Sequence, residues 1–175
     1  MQVKLINEWS KAQAVSELQR CCGSRAWASA MAARRPFEDA AQLLKAAEDI
    51  WWNLSGDDWL EAFSHHPKIG NVDNLRKKFA STASWSEGEQ KGVDQASEKA
   101  LEQLAAGNND YESRFGYIFI VCATGKSAEE MLAILQRRLH NKPAEELKVA
   151  AAEQSKITAL RLEKLCQEVQ SQPTS

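Results

Sequence analysis

Three stretches of this chain combine residue types that can do chemistry. The first is SHHPKIG, Ser64 to Gly70, which sets two of the three histidines ahead of a proline. Imidazole titrates near neutral pH and moves a proton at little cost, so a held histidine is a candidate general acid or base. Pro67 fixes the backbone directly after His66, and Gly70 permits a sharp return. On composition either His65 or His66 could be the working residue, and the plainer reading is a helix end running into a turn. Zinc is not expected here, because Glu61, His65 and His66 lack H-E-x-x-H order and a clear third ligand.

The second stretch is ASWSEGEQ, Ala83 to Gln90. Ser86 with Glu89 has the spacing of a capping box, and Ser84 with Glu87 offers a competing frame. Either way a helix N-terminus presents unpaired N–H groups and a partial positive charge to a polar or anionic ligand. Gln90 adds a donor and an acceptor that suit an amide-like or ureido group. The third is Arg161. Spacing residues at about 100° puts Leu147, Ala151, Leu165 and Val169 on one helical stripe, and Arg161 and Gln154 fall inside it. A guanidinium there is either half of a structural ion pair, a snorkelling side chain, or a fork for a carboxylate or carbonyl-rich ligand.

The elements that must position these residues read as helices. Apolar residues recur at three- and four-residue steps from Met1 to Cys22, and again after Pro36, which is expected to open a second helix. Ser55 with Asp58 caps a short helix that must stop near His66, since a residue before proline leaves the α region. A short helix is expected near Asn74–Phe79, and a long one from Ser86 to Ala106, closed by Gly107. The apolar run Tyr117–Thr124 fits a strand or a buried helix. A lone strand would lack backbone partners, which favours the helix. Ser127 with Glu130 caps the next helix, and Pro143 opens the last, to about Val169. The expectation is an all-α fold, a single compact domain over 1–175 with about eight helices.

Composition narrows the function. The 175 residues are 43% hydrophobic and 26% charged, with net charge −2 and a pI near 6.0. That balance argues against nucleic acid or an anionic membrane as partner. No apolar run approaches the roughly 20 residues of a membrane span. With neither a secretory signal at MQVKLINEWSKAQ nor a peroxisomal ending at SQPTS, a cytoplasmic protein is expected. The four cysteines, Cys21, Cys22, Cys122 and Cys166, show no metal or disulfide spacing. No activating base lies near Cys22 in sequence.

Taken together these landmarks resemble the 2-oxo-4-hydroxy-4-carboxy-5-ureidoimidazoline (OHCU) decarboxylases of urate breakdown. In order they are His66-Pro67-Lys68-Ile69-Gly70, Ser86-x-x-Glu89-Gln90, Tyr111-x-x-Arg114-Phe115-Gly116-Tyr117-x-Phe119-Ile120, and Lys156-Ile157-x-x-x-Arg161-Leu162. Arg137-Arg138-Leu139-His140-Asn141 followed by Glu145-Glu146 is similar to a further family pattern, R-L-x-N…E. The resemblance implies an all-helical fold and a cofactor-free decarboxylation giving (S)-allantoin. It places catalytic roles on His66, Glu89 and Arg161. Substrate contacts fall on Pro67, on Ser86, Glu87, Gly88 and Gln90, and on Phe119, Ile120, Val121, Cys122 and Ala123, partly through backbone groups. A small ureidoimidazoline is the implied partner, with a homodimer plausible, and neither a metal nor a cofactor is expected. The rivals are a helical interaction module, in which Arg161 is a buried ion-pair member, and a hydrolase or lyase acting on another ureide.

Overall fold

The computed structural model describes residues 3–68, 71–80 and 90–170. Nine helices appear among them: α1 (Lys4–Glu8), α2 (Lys11–Cys22), α3 (Arg25–Arg34), α4 (Ala40–Trp52), α5 (Gly56–Ser64), α6 (Val72–Ala80), α7 (Gln90–Phe115), α8 (Ala128–Arg138) and α9 (Pro143–Gln170). No strand occurs in the described residues, so the fold is all-α.

Local chemistry explains where the helices begin and end. The expected helix over 1–22 is two, because Ser10 and Gln13 form a reciprocal capping box that starts α2 afresh. Pro36 does not open a helix. It lies in a link tied to α1, where Asn7 donates to the Phe37 carbonyl (2.8 Å) and accepts the Phe37 N–H (2.9 Å). Arg35 adds two bonds, to the carbonyls of Ile6 (2.8 Å) and Trp9 (2.7 Å). Asp39 then caps α4 by accepting the Gln42 N–H. The capping boxes expected at Ser55–Asp58 and Ser127–Glu130 are both present, and Pro143 does open the last helix.

Gly107 does not end a helix, for α7 runs through it to Phe115. Its glycine serves packing instead: a Cβ there would meet Leu135 Cδ2 of α8 at 2.5 Å. Termination falls to Gly116, in the left-handed region at φ +82°, whose N–H donates to the Glu112 carbonyl.

The described helices gather into two compact units. The first holds the chain to His65, residues 120–122, and α9 from Val149 onward. Its core is built on Ile6, Leu18, Trp27, Met31, Leu43, Trp51, Phe63 and Leu162, all fully buried. Both core tryptophans satisfy their indole N–H on backbone, Trp27 on Ala47 (3.0 Å) and Trp51 on Ala151 (2.9 Å). Each such side chain contributes roughly 1.5–3 kcal/mol through burial. The second unit comprises residues 66–119 and 123–148, with Leu75, Leu104, Tyr111 and Leu135 buried in it.

Candidate active site

The end of α2 organises one corner of the first unit. Gly23 adopts φ +95°, which ends the helix, and its N–H donates to the Gln19 carbonyl at 2.7 Å. A side chain is excluded there on a second ground. A Cβ on Gly23 would lie 2.9 Å from His65 Cβ and 3.1 Å from the Ala62 carbonyl oxygen, so the α2–α3 turn rests directly on the end of α5. The last carbonyls of α2 lack intrahelical partners. Arg161 of α9 answers one, its Nη1 donating to the Cys21 carbonyl at 3.3 Å. Arg161 and His65 thus lie against the same short stretch, Arg161 on Cys21 and His65 on Gly23. His66 follows by one peptide bond and is half-buried, whereas His65, Pro67 and Lys68 are exposed.

Arg161 differs from the expectation of a group sunk in an apolar stripe, because the residue is exposed. Its stripe neighbour Gln154 is fully buried and donates to Thr158 Oγ1 at 3.1 Å. Beside Arg161 lies a hollow of about 150 Å³, lined by Glu17, Arg20, Cys21, Lys164 and Glu168 among others. Arg20 is occupied by Glu17 at 2.5 Å, which leaves Arg161 and Lys164 to set the sign of the hollow against Glu168. The corner thiols are inert. Burial pushes Cys21 up to about 12, against the opposing pull of Arg161, and Cys22 up to about 11. That agrees with the sequence, which offered Cys22 no activating base.

The Tyr117–Thr124 run is not the buried helix expected for it. Residues 118–123 are irregular, with Ile120 and Cys122 buried and Val121 and Ala123 half-buried. The backbone partner that seemed to be missing is a side chain: Glu153 Oε2 of α9 accepts the Cys122 N–H at 2.7 Å. The other Glu153 oxygen accepts Lys156 Nζ at 2.6 Å. Sequence reasoning passed over Glu153; its one signal was an acidic residue a helical turn ahead of Lys156. It also passed over Gly23, whose role depends on a contact 42 positions away.

In the second unit Lys68 pairs with Glu112 at 2.6 Å, fastening the turn after His66 to α7. Arg138 and Glu146 are almost completely buried and paired. Glu146 also accepts the Tyr111 hydroxyl (2.5 Å) and Asn141 Nδ2 (2.8 Å). The Arg138 guanidinium sits 4.7 Å above the Phe119 ring. Gln90 is the first residue of α7, whereas Ser86, Glu87, Gly88 and Glu89 lie outside the described residues, as do Ile69 and Gly70.

A family model described as OHCU decarboxylase matches residues 7–163. The chain belongs to this family. Among curated relatives of this OHCU decarboxylase family member, the uric acid degradation bifunctional protein TTL of Arabidopsis thaliana is 41% identical over 152 residues, covering 85% of this chain and 46% of that protein. The uric acid degradation bifunctional protein of Bacillus sp. strain TB-90 is 26% identical over 171 residues, covering 96% of this chain and 33% of that one. The chain therefore spans less than half the length of these two relatives. Among solved structures, an OHCU decarboxylase in the presence of (S)-allantoin aligns with a TM-score of 0.69 and 41% identity, over 85% of this chain and 96% of that one.

Proposed function

We propose that the protein is a cofactor-independent carboxy-lyase converting OHCU to (S)-allantoin in urate degradation. Family membership sets the reaction class, and the solved relative crystallised with (S)-allantoin supports the product. The observation that carries the reading for this chain is the Cys21–Gly23 corner, which ties Arg161 to one side and the His65 end of the histidine turn to the other.

The chemistry suits a protein that supplies only side chains. OHCU carries its carboxylate on a carbon beside ring C=O and C=N groups. The C–C bond to the carboxylate breaks, its electron pair moves into the ring as an enolate, and CO2 leaves. One proton delivered to one face of that carbon then gives a single enantiomer. His66, oriented by Glu89, handles the proton. Arg161 and Gln90 bind the polar ring and ureido groups, and Pro67 presses on the ring. Ser86, Glu87 and Gly88, together with Phe119–Ala123, supply further contacts, and apolar surroundings favour loss of neutral CO2. Action in the cytoplasm as a homodimer belongs to the same proposal.

A second reading is favoured by one observation: the Arg161 bond to Cys21 is also a helix cap, sufficient for a purely structural role. The deciding experiment generates OHCU freshly from urate and follows the chirality of the allantoin formed. The enzyme yields the S form quickly, whereas spontaneous decay yields racemate. His66→Ala removes about 10²–10⁴-fold of the rate with helical circular dichroism intact, the usual size of a general acid–base contribution. His65→Ala does far less. Absence of chiral enrichment with the wild-type protein sinks the proposal, and equal losses from the two histidines reassign the proton carrier.

A further inference from the structure

We propose that Glu153 is a positioning residue of this site, fixing which peptide groups of Phe119–Ala123 face the substrate. The inference rests on the reading of that segment as a substrate contact.

Burial alternates along the segment, with Ile120 and Cys122 inward and Val121 and Ala123 half-buried between them. Period two is the signature of an extended chain, in which the peptide groups of successive residues face opposite edges. The Cys122 N–H is committed to Glu153 at 2.7 Å. The N–H and C=O of Val121 therefore face the other edge. Together they form a donor and an acceptor side by side, complementary to the acceptor–donor edge of a ureide or cyclic imide. A slip of one residue would reverse every one of these groups.

In a sheet, a ladder of hydrogen bonds prevents such a slip. This segment has no neighbouring strand among the described residues, and the Glu153 carboxylate takes the place of one such rung. The carboxylate is suited to it. Its side chain is only 15% exposed, its Oε1 is held by Lys156, and its Oε2 is thereby aimed at Cys122. A charged acceptor makes a shorter and stronger bond than a neutral one. Lys156, a landmark of the sequence motif with no evident task of its own, thus sets the Glu153 rotamer.

The test compares Glu153→Ala with Glu153→Gln on freshly generated OHCU. The glutamine keeps an acceptor oxygen in the same place and loses only the charge. Glu153→Ala is expected to raise KM about tenfold with a smaller fall in kcat, the pattern of lost substrate binding. Glu153→Gln should stay within about threefold of wild type, since one neutral hydrogen bond replaces the charged one. Amide hydrogen exchange at Cys122 should accelerate in the alanine variant and not in the glutamine variant. An unchanged KM in Glu153→Ala, or equal losses in both variants, overturns the inference while leaving the decarboxylase reading intact. A wild-type protein that gives no (S)-allantoin overturns that reading, and this inference with it.

Discussion

Two arginines in this molecule occupy opposite situations. In the second unit Arg138 is spent on its surroundings. Its Nε and Nη2 both bind Glu146, Nη2 also reaches the Tyr111 hydroxyl, and its face lies over Phe119 and Tyr111. In the first unit Arg161 is exposed and is described with a single hydrogen bond, to the neutral Cys21 carbonyl at 3.3 Å. A saturated guanidinium among buried groups holds a fold together. One anchored by a single arm, with a small charged hollow beside it, has the donors that the proposed substrate-binding role needs. Charge and residue type are identical in the two cases; satisfaction separates them.

The contrast makes its largest prediction at Arg138. Arg138→Ala leaves the Glu146 carboxylate buried without its counter-ion and should cost about 3–5 kcal/mol of stability. Urea denaturation measures this directly. Replacing Arg138 by Met and Glu146 by Leu together should cost much less, because no charge is then stranded. A loss below about 1 kcal/mol in the single variant, the range of an exposed pair, would mean that solvent reaches the cluster.

Arg161→Ala should give the reverse profile. One long hydrogen bond to a neutral carbonyl limits the stability loss to about 1 kcal/mol. Activity should fall about 10²-fold or more, as for a removed electrostatic donor. Arg161→Lys should recover little, since an ammonium cannot supply the fork. If Arg161→Ala instead loses several kcal/mol while keeping kcat/KM per folded molecule, the helix-capping reading prevails.

The same distinction marks what the sequence could disclose. Capping boxes at Ser55 and Ser127 and the helix start at Pro143 were legible because each is decided within four residues. The misreadings came from partners distant in the chain. Gly107 looks like a stop signal until Leu135 is seen against it, 28 positions on. The Tyr117–Thr124 run looks like a helix until Glu153 accepts the Cys122 N–H, 31 positions away. Pro36 looks like a helix start until Asn7 claims Phe37. For the proposed site, type and order are enough to nominate His66, Pro67 and Arg161. The carbonyl that holds Arg161 was not, because a backbone acceptor carries no sequence signature.

Two glycines sharpen the comparison at a smaller scale. Gly23→Ala forces a left-handed φ on a residue with a Cβ, which costs about 1–2 kcal/mol before any clash. That Cβ also meets His65 Cβ at 2.9 Å, close to the main chain, so the histidine turn must shift and kcat/KM should drop with stability. Gly107→Ala meets only the Leu135 side chain, Cδ2 at 2.5 Å and Cγ at 3.3 Å. It also gains about 1 kcal/mol of helix propensity, which offsets much of the overpacking. Its activity should match wild type. Equal kinetic damage from both substitutions would remove any special standing of the Cys21–Gly23 corner.

The smallest effect belongs to the corner thiols. Burial raises Cys21 to about 12 and Cys22 to about 11, from an ordinary value of 9.0. The folded state therefore holds these protons more tightly than the unfolded chain does. Their contribution to stability is complete below pH 9 and is lost as pH climbs from there toward 11 and 12. Arg161 works against that rise at Cys21. Arg161→Ala should push the Cys21 thiol higher still and extend its part of the alkaline loss. Denaturant titrations of wild type, Cys22→Ala and Arg161→Ala between pH 8 and 11 measure the slopes. Disulfide reagents supply the cross-check, since both thiols should react slowly at pH 8 in the native protein and rapidly once it is unfolded. Rapid native labelling of Cys21 would show that the corner opens, and that Arg161 is held there more loosely than its bond to the Cys21 carbonyl implies.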